Sequence, residues 1–292
     1  MKERVVVTGG RGMLGKDLVD VLTAEGTEVL ALDLPTFDVR DPVQVRESLE
    51  AYRPARVIHL AAMTNVDGCE LDPDAAYRTN TLGTQHVAVA CQRLGVELVY
   101  VSTLAVFDGD KPEAYTEFDT PNPRSVYSRS KYLAEQIVER LLEGYYIVRA
   151  GWLFGGGIRD KKFVAKIMAQ ARQQPEIKAV DDKFGSPTYT VDFASGLLKL
   201  MRTGLYGTYH LVNTGQPASR YEVARHVVQF GGITDCRVVP VGSEQFPLPA
   251  PRPRMEAGRN YVLELRGCQW MRPWAEALRA YIETTLNGSD NG

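Results

Sequence analysis

The sequence predicts an α/β protein built on a doubly wound parallel sheet, with a smaller α/β portion towards the C-terminus. Three observations carry this. Short β-branched runs alternate with longer amphipathic stretches over the first 150 residues, the pattern of parallel strands joined by crossover helices. A glycine-rich turn follows the first run, and the alternation loosens after Gly155-Gly156-Gly157.

The strands read as Arg4–Val7, Glu28–Asp33, Arg56–His59, Glu97–Ser102 and Tyr145–Arg149. Their near-continuous apolar character suits a sheet covered on both faces. Helical periodicity lies between them near 13–25, 42–52, 72–94 and 128–143. Beyond the triple glycine the sequence predicts a helix near 160–174, a strand near 177–180, a helix near 189–202 and a strand around Thr208–Asn213. Phe246–Arg254, crowded with proline and arginine, is a loop, and Pro273 opens a last helix ending near Leu286. Residues 1–155 thus read as a nucleotide-binding portion to which 189–215 return. Residues 156–188 and 216–287 read as a second portion, and 288–292 as a disordered tail.

Bulk properties narrow the partners. A chain of 292 residues supports a sizeable core, and 44% hydrophobic with 24% charged residues is an ordinary globular composition. A net charge of −2 gives no broad positive field for nucleic acid or anionic membranes. Any phosphate must be gripped locally. Cys69, Cys91, Cys236 and Cys268 have no close pairing in sequence, which speaks against a zinc site or redox dithiol and for reduced, semi-buried thiols. Without a signal peptide or membrane-length apolar run, a cytoplasmic location is expected.

The first strand ends in Thr8-Gly9-Gly10-Arg11-Gly12-Met13-Leu14-Gly15, with glycines three apart where a strand becomes a helix. Missing side chains let the backbone approach a diphosphate, and the helix N-terminus offers unpaired N–H groups and partial positive charge. Asp33 ends the second strand about 20 residues on, where a carboxylate can accept from ribose hydroxyls. Together these predict a Rossmann-type dinucleotide site for NADH or NADPH. Asp33 leans towards NADH because its charge opposes a 2′-phosphate, although Arg11 could compensate. Asp33 as a simple turn cap before Pro35 is the alternative.

The fourth strand delivers Ser102 and Thr103, and Tyr127 and Lys131 follow four apart at the start of a helical pattern. That spacing puts both side chains on one helix face. A phenol is a poor acid–base at neutral pH, and a nearby ammonium is expected to lower its pKa towards the working range. Tyr127 would then exchange a proton with a carbonyl held by a Ser or Thr hydroxyl, and Lys131 would also bind the nicotinamide ribose. A lone Tyr-x-x-x-Lys is weak in a chain with 14 tyrosines. The ordered series of glycine turn, acid, hydroxyls and Tyr–Lys pair is what carries weight.

These residues resemble the extended short-chain dehydrogenase/reductases, and in particular the dTDP-4-dehydrorhamnose reductase family. The likeness covers most of the chain. It rests on the glycine turn, His59-Leu60-Ala61-Ala62, Thr64-Asn65-Val66-Asp67, Asn80-Thr81-Leu82-Gly83-Thr84, Ser102-Thr103, Tyr127 with Lys131, and Asp181 through Tyr189. The resemblance implies reduction of the 4-keto group of a nucleotide-activated 6-deoxysugar. Thr103 would be the carbonyl ligand, Tyr127 the proton donor and Lys131 its tuner. It implies cofactor contacts from Gly9, Arg11, Gly12, Met13, Leu14, Gly15, Asp33, Asp38, Val39, Ala61, Ala62, Met63 and Ser102, besides Tyr127 and Lys131. Substrate contacts would come from Thr103, Leu104, Trp152 packed against the sugar, and Arg252 clamping the diphosphate. A core position for Trp152 is the competing reading.

The chain departs from the family at Leu104-Ala105, at Met63, and at Glu256, Gly258 and Arg259 after the Arg252-Pro253-Arg254 run; the first two bear on the presumed sugar pocket. No signature of the metal-linked dimer of part of the family is present, so no metal is expected, and a homodimer stays open. Two other readings share these features. One is a nucleotide-sugar epimerase or epimerase–reductase, which would retain its NAD through purification; the other is a catalytically silent dinucleotide-binding regulatory subunit.

Overall fold

The computed structural model describes residues 2–157, 160 and 162–286; the expected tail lies outside them. The first half follows a β–α alternation: β1 (Arg4–Thr8), α1 (Met13–Ala24), β2 (Glu28–Leu32), α2 (Pro42–Tyr52), β3 (Arg56–His59), α3 (Val66–Leu71) and α4 (Pro73–Ala76). A π-helical turn, Tyr77–Leu82, leads into α5 (Gly83–Leu94), β4 (Glu97–Thr103), α6 (Val126–Leu141) and β5 (Tyr145–Ala150). Then come β6 (Trp152–Phe154), α7 (Phe163–Ala171), β7 (Glu176–Val180), β8 (Phe184–Gly185), β9 (Pro187–Tyr189), α8 (Thr190–Arg202) and β10 (Gly207–His210). The chain ends with β11 (Ala218–Ser219), α9 (Arg220–Phe230), β12 (Arg237–Val241), β13 (Met255–Glu256), α10 (Tyr261–Leu265) and α11 (Trp274–Tyr281).

Six strands form one parallel sheet in the order β10-β5-β4-β3-β1-β2. Alternation along each strand divides its side chains between two faces. Val5 and Val7 point into a core with Leu14, Leu18 and Leu22 of α1 and Leu197 of α8. Val6, between them, joins Val45 and Leu49 of α2, Val87 of α5 and Val138 of α6 on the other face. Both faces are dry, as the apolar strands foretold. The order reverses between β1 and β3, and at such a switch point the carboxyl ends of the strands frame a crevice.

A second core gathers α7, α9 and α11 around the parallel pair β7 and β12, through Ile167, Ile177, Val227 and Leu278. Two elements of it, α9 and β12, lie where the sequence reading assigned nothing. The signal for α9 was present. Ser219 and Glu222 form a reciprocal capping box, and Val223, Ala224, Val227 and Val228 follow at helical spacing, all buried.

The predicted helix near 72–94 is present as one continuous helical run, with a π turn inserted between α4 and α5. The cause is Asn80. Its side chain accepts from Met63 N–H (2.7 Å) and donates to Met63 O (3.1 Å) and Ser130 Oγ (3.0 Å), while its carbonyl accepts from the Thr84 hydroxyl (2.6 Å). A widened turn gives that amide the reach a regular helix would deny it, consistent with π turns clustering at functional sites. The strand expected around 208–213 ends at His210.

Candidate active site

The carboxyl ends of the strands open onto a cleft of about 750 Å³. Its nucleotide side begins at the glycine turn. Gly9 N–H donates to Leu32 O (2.8 Å) and Gly12 N–H to Gly9 O (3.1 Å), folding the turn against the end of β2. Gly9 has φ +70°, and a Cβ there would lie 2.8 Å from Ala61 N; one on Gly15 would lie 2.3 Å from Gly9 O. These two glycines are demanded by packing. Gly12 differs. An added Cβ would meet only Gly9 O, at 3.3 Å, and Gly12 is the N-cap of α1 with no side-chain cap. The first turn of α1 therefore presents N–H groups to the cleft past a residue with no side chain, which is what a diphosphate needs.

Of the residues expected to contact a cofactor, Met13, Leu14, Asp33, Asp38, Val39, Ala61, Ala62 and Met63 line the cleft and Arg11 does not. Arg11 instead uses its N–H to bond Asp33 Oδ2 (2.9 Å), while Leu34 N–H takes Oδ1 (2.8 Å). Asp33 thus serves as turn cap and cleft wall at once. A carboxylate has about four acceptor positions, so two remain for a ribose. Asp38 is held bidentately by Arg40, whose Nε donates to Oδ1 (3.0 Å) and Nη2 to Oδ2 (2.6 Å), which keeps its carboxyl below the usual range. Arg40 also lines the cleft and was missed in the sequence.

Ser102, Thr103, Tyr127 and Lys131 meet in the same cleft. The Ser125 hydroxyl caps α6 by accepting from Ser128 N–H (3.2 Å), and this sets Tyr127 and Lys131 in the first two turns. Lys131 Nζ donates to Val101 O (2.8 Å) and sits 4.2 Å from the Tyr100 ring centroid. Thr103 Oγ1 accepts from Ala105 N–H (3.1 Å). The Ser102 hydroxyl is buried without a protein partner among the described residues, at a residue that lines the cleft.

The electrostatics depart from expectation. The Tyr127 pKa is not lowered. Burial pushes it up to about 12, with the Thr103 hydroxyl pulling it down and Glu256 and Cys69 pushing it up. Burial lowers Lys131 to about 7, with Glu135 opposing. The lysine is too desolvated to act as the strong fixed charge that the sequence reading assumed. A phenol that stays protonated at neutral pH is nevertheless what a proton donor requires.

On the far side, Trp152 Nε1–H donates to Glu256 Oε2 (3.0 Å), and the Arg220 guanidinium lies 3.5 Å from the indole ring centroid. Trp152 lines the cleft, but that face of the ring is already covered. Two substrate assignments change. Leu104 is 1% exposed, packed with Val106, Phe107 and Tyr115 rather than lining the cleft; Ala105 lines it instead. Arg252 lines the cleft, yet its guanidinium pairs with Asp67 (2.9 Å) and donates to Ala250 O (2.9 Å). That pairing ties the loop to α3.

A family profile described as the RmlD substrate binding domain matches residues 2–287. The chain belongs to this family. It is 38% identical over 292 residues to a dTDP-4-dehydrorhamnose reductase of Mycobacterium tuberculosis, covering 98% of this chain and 95% of that protein. It is 33% identical to a dTDP-4-keto-6-deoxy-D-glucose reductase of Streptomyces niveus, covering 95% and 96%. Among solved structures, dTDP-4-dehydrorhamnose reductase of Bacillus anthracis in complex with NADP superimposes with a TM-score of 0.93 at 40% identity, covering 97% of this chain and 100% of that one.

The Lys131 value carries a pH prediction. The ammonium is present below pH about 7 and lost above it, whereas Tyr127 stays protonated throughout the neutral range. Since kcat/KM follows the free enzyme, it should fall on the alkaline side with a midpoint near 7. In Lys131→Arg, whose guanidinium does not deprotonate, that limb should disappear even though the maximum is lower. An identical limb in the variant would assign it to another group.

Proposed function

We propose that this chain reduces the 4-keto group of a dTDP-activated 6-deoxyhexose with NAD(P)H, as its relatives' names describe for them. The observation that carries it is the convergence of Thr103, Tyr127 and Lys131 in one cleft with the glycine turn. The side-chain-free approach at Gly12 and the orphan Ser102 hydroxyl fit a dinucleotide there. Bound in reduced form, it supplies a hydride. Tyr127 gives its proton to the carbonyl oxygen, Thr103 donates a hydrogen bond to the same oxygen, and the Lys131 ammonium steadies the phenolate left behind. The test is NADH and NADPH oxidation by the purified chain with a panel of dTDP-4-keto-6-deoxysugars; no turnover with any of them sinks the reading.

Residues 1–155 with 189–215 are taken as the dinucleotide-binding part, and 156–188 with 216–287 as the substrate part. The same reading includes a cytoplasmic protein without nucleic-acid or membrane partners. It is supported by the net charge of −2, and among the described residues no helix is long and apolar enough to cross a membrane.

NADH is the preferred form in this reading, on the strength of Asp33. Asp33→Ala should weaken NADH more than NADPH, because only NADH offers the ribose hydroxyl to the carboxylate. Both should lose something, since Arg11 and Leu34 N–H groups lose their acceptor, a cost of about 1 kcal/mol to the folded state. Titration of each dinucleotide by intrinsic fluorescence reads the ratio. Equal losses would make Asp33 a turn cap only.

A further inference from the structure

The cleft holds a guanidinium, that of Arg220, outside the constellation of Thr103, Tyr127 and Lys131. Arg220 opens α9, and its half-buried guanidinium lies flat over Trp152, 3.5 Å from the ring centroid, with Phe163 at 4.9 Å. Among the described residues it has ring contacts but no hydrogen-bond or ion-pair partner. The other arginines of the cleft are committed: Arg40 to Asp38 and Arg252 to Asp67. Glu256, whose charge Arg220 feels, accepts the indole N–H and forms no ion pair with the guanidinium among the described residues.

We propose that Arg220 is the substrate-diphosphate ligand of this enzyme, its edge N–H groups forking the diphosphate of the nucleotide-sugar while Trp152 backs its face. This rests on the function proposed above and replaces the role expected of Arg252. Stacking on an indole fixes the guanidinium plane and leaves its edge donors free for bidentate contact with phosphate oxygens. Burial lowers the Arg220 pKa to about 10, with the Glu256 charge opposing and the neighbouring Arg252 cation adding to the fall. The group remains charged at neutral pH, and an anion between the two arginines relieves both penalties. The dinucleotide's own diphosphate has the N-terminus of α1. A second anion site, beside Trp152 and Glu256, falls to the second substrate. Trp152 consequently meets the ligand through Arg220, and the face that would have stacked on a sugar is taken.

The test is calorimetric titration of dTDP and dTMP into wild type, Arg220→Met and Arg220→Lys, with NADPH titration as a check that the variant is folded. Arg220→Met should bind dTDP 10- to 100-fold more weakly and lose the wild-type preference for dTDP over dTMP. Arg220→Lys, which keeps charge but not the flat fork, should fall between. If the methionine variant misfolds, a tenfold or greater loss in the lysine variant supports the assignment. Wild-type dTDP affinity in the folded variants overturns it. Binding needs no turnover, so a chain that binds dTDP through Arg220 but reduces no 4-keto-sugar would sink the functional reading alone.

Discussion

Tyr127→Phe should lower turnover by about 10²–10⁴-fold, the range for a lost general acid, while dinucleotide affinity changes by no more than about twofold. The ring of Tyr127 sits among Cys69, Val126 and Met63, and phenylalanine fills the same volume, so the fold is kept. What is lost is the proton. With the phenol raised to about 12 by burial, it is fully protonated at the pH of assay and is the cleft hydroxyl beside Thr103 suited to passing its proton to a carbonyl. Thr103 alone would still polarise the oxygen, which is why some rate should survive. Stopped-flow measurement of the single-turnover rate at saturating dinucleotide separates the chemical step from release. A variant within tenfold of wild type would remove Tyr127 from the proton path.

The glycine turn should give an equally large but different pair of effects. In Gly15→Ala a Cβ would sit 2.3 Å from Gly9 O and 2.7 Å from Gly10 Cα, against backbone that no side-chain rotation can move. Relief requires α1 to move off the sheet, and a loss of at least the 1–3 kcal/mol typical of overpacking is expected, seen as a lower Tm. In Gly12→Ala the only neighbour is Gly9 O at 3.3 Å, so Tm should stay within about 2 °C. Dinucleotide affinity should nonetheless fall by 10-fold or more, because the methyl group occupies the approach of the diphosphate. Reversal of the pattern, with Gly12→Ala unstable and Gly15→Ala merely weak in binding, would mean that the turn serves packing alone.

The parallel sheet was legible because its strands are buried on both faces and read as apolar runs with crossovers between them. That the glycine turn, Asp33, Thr103, Tyr127 and Lys131 share one cleft was legible because each was picked as a residue type at a spacing set by local structure. What escaped depended on contacts distant in sequence. Arg220 and Trp152 are 68 residues apart in number, and neither position announces the stack. Arg252 looked like a ligand because nothing local reveals Asp67 beside it. The Tyr127 and Lys131 pKa values were misjudged because charge proximity can be read from an i, i+4 spacing but desolvation cannot. The π turn was invisible for a similar reason, since Asn80 has the periodicity of a helix and the partners of a loop.

Asn80 has a mechanical consequence. One amide grips Met63 through both its N–H and its carbonyl and also holds Ser130, a residue lying between the proton donor and the lysine in sequence. The cleft wall at Met63 and the helix that carries Tyr127 and Lys131 are therefore riveted together at a single joint.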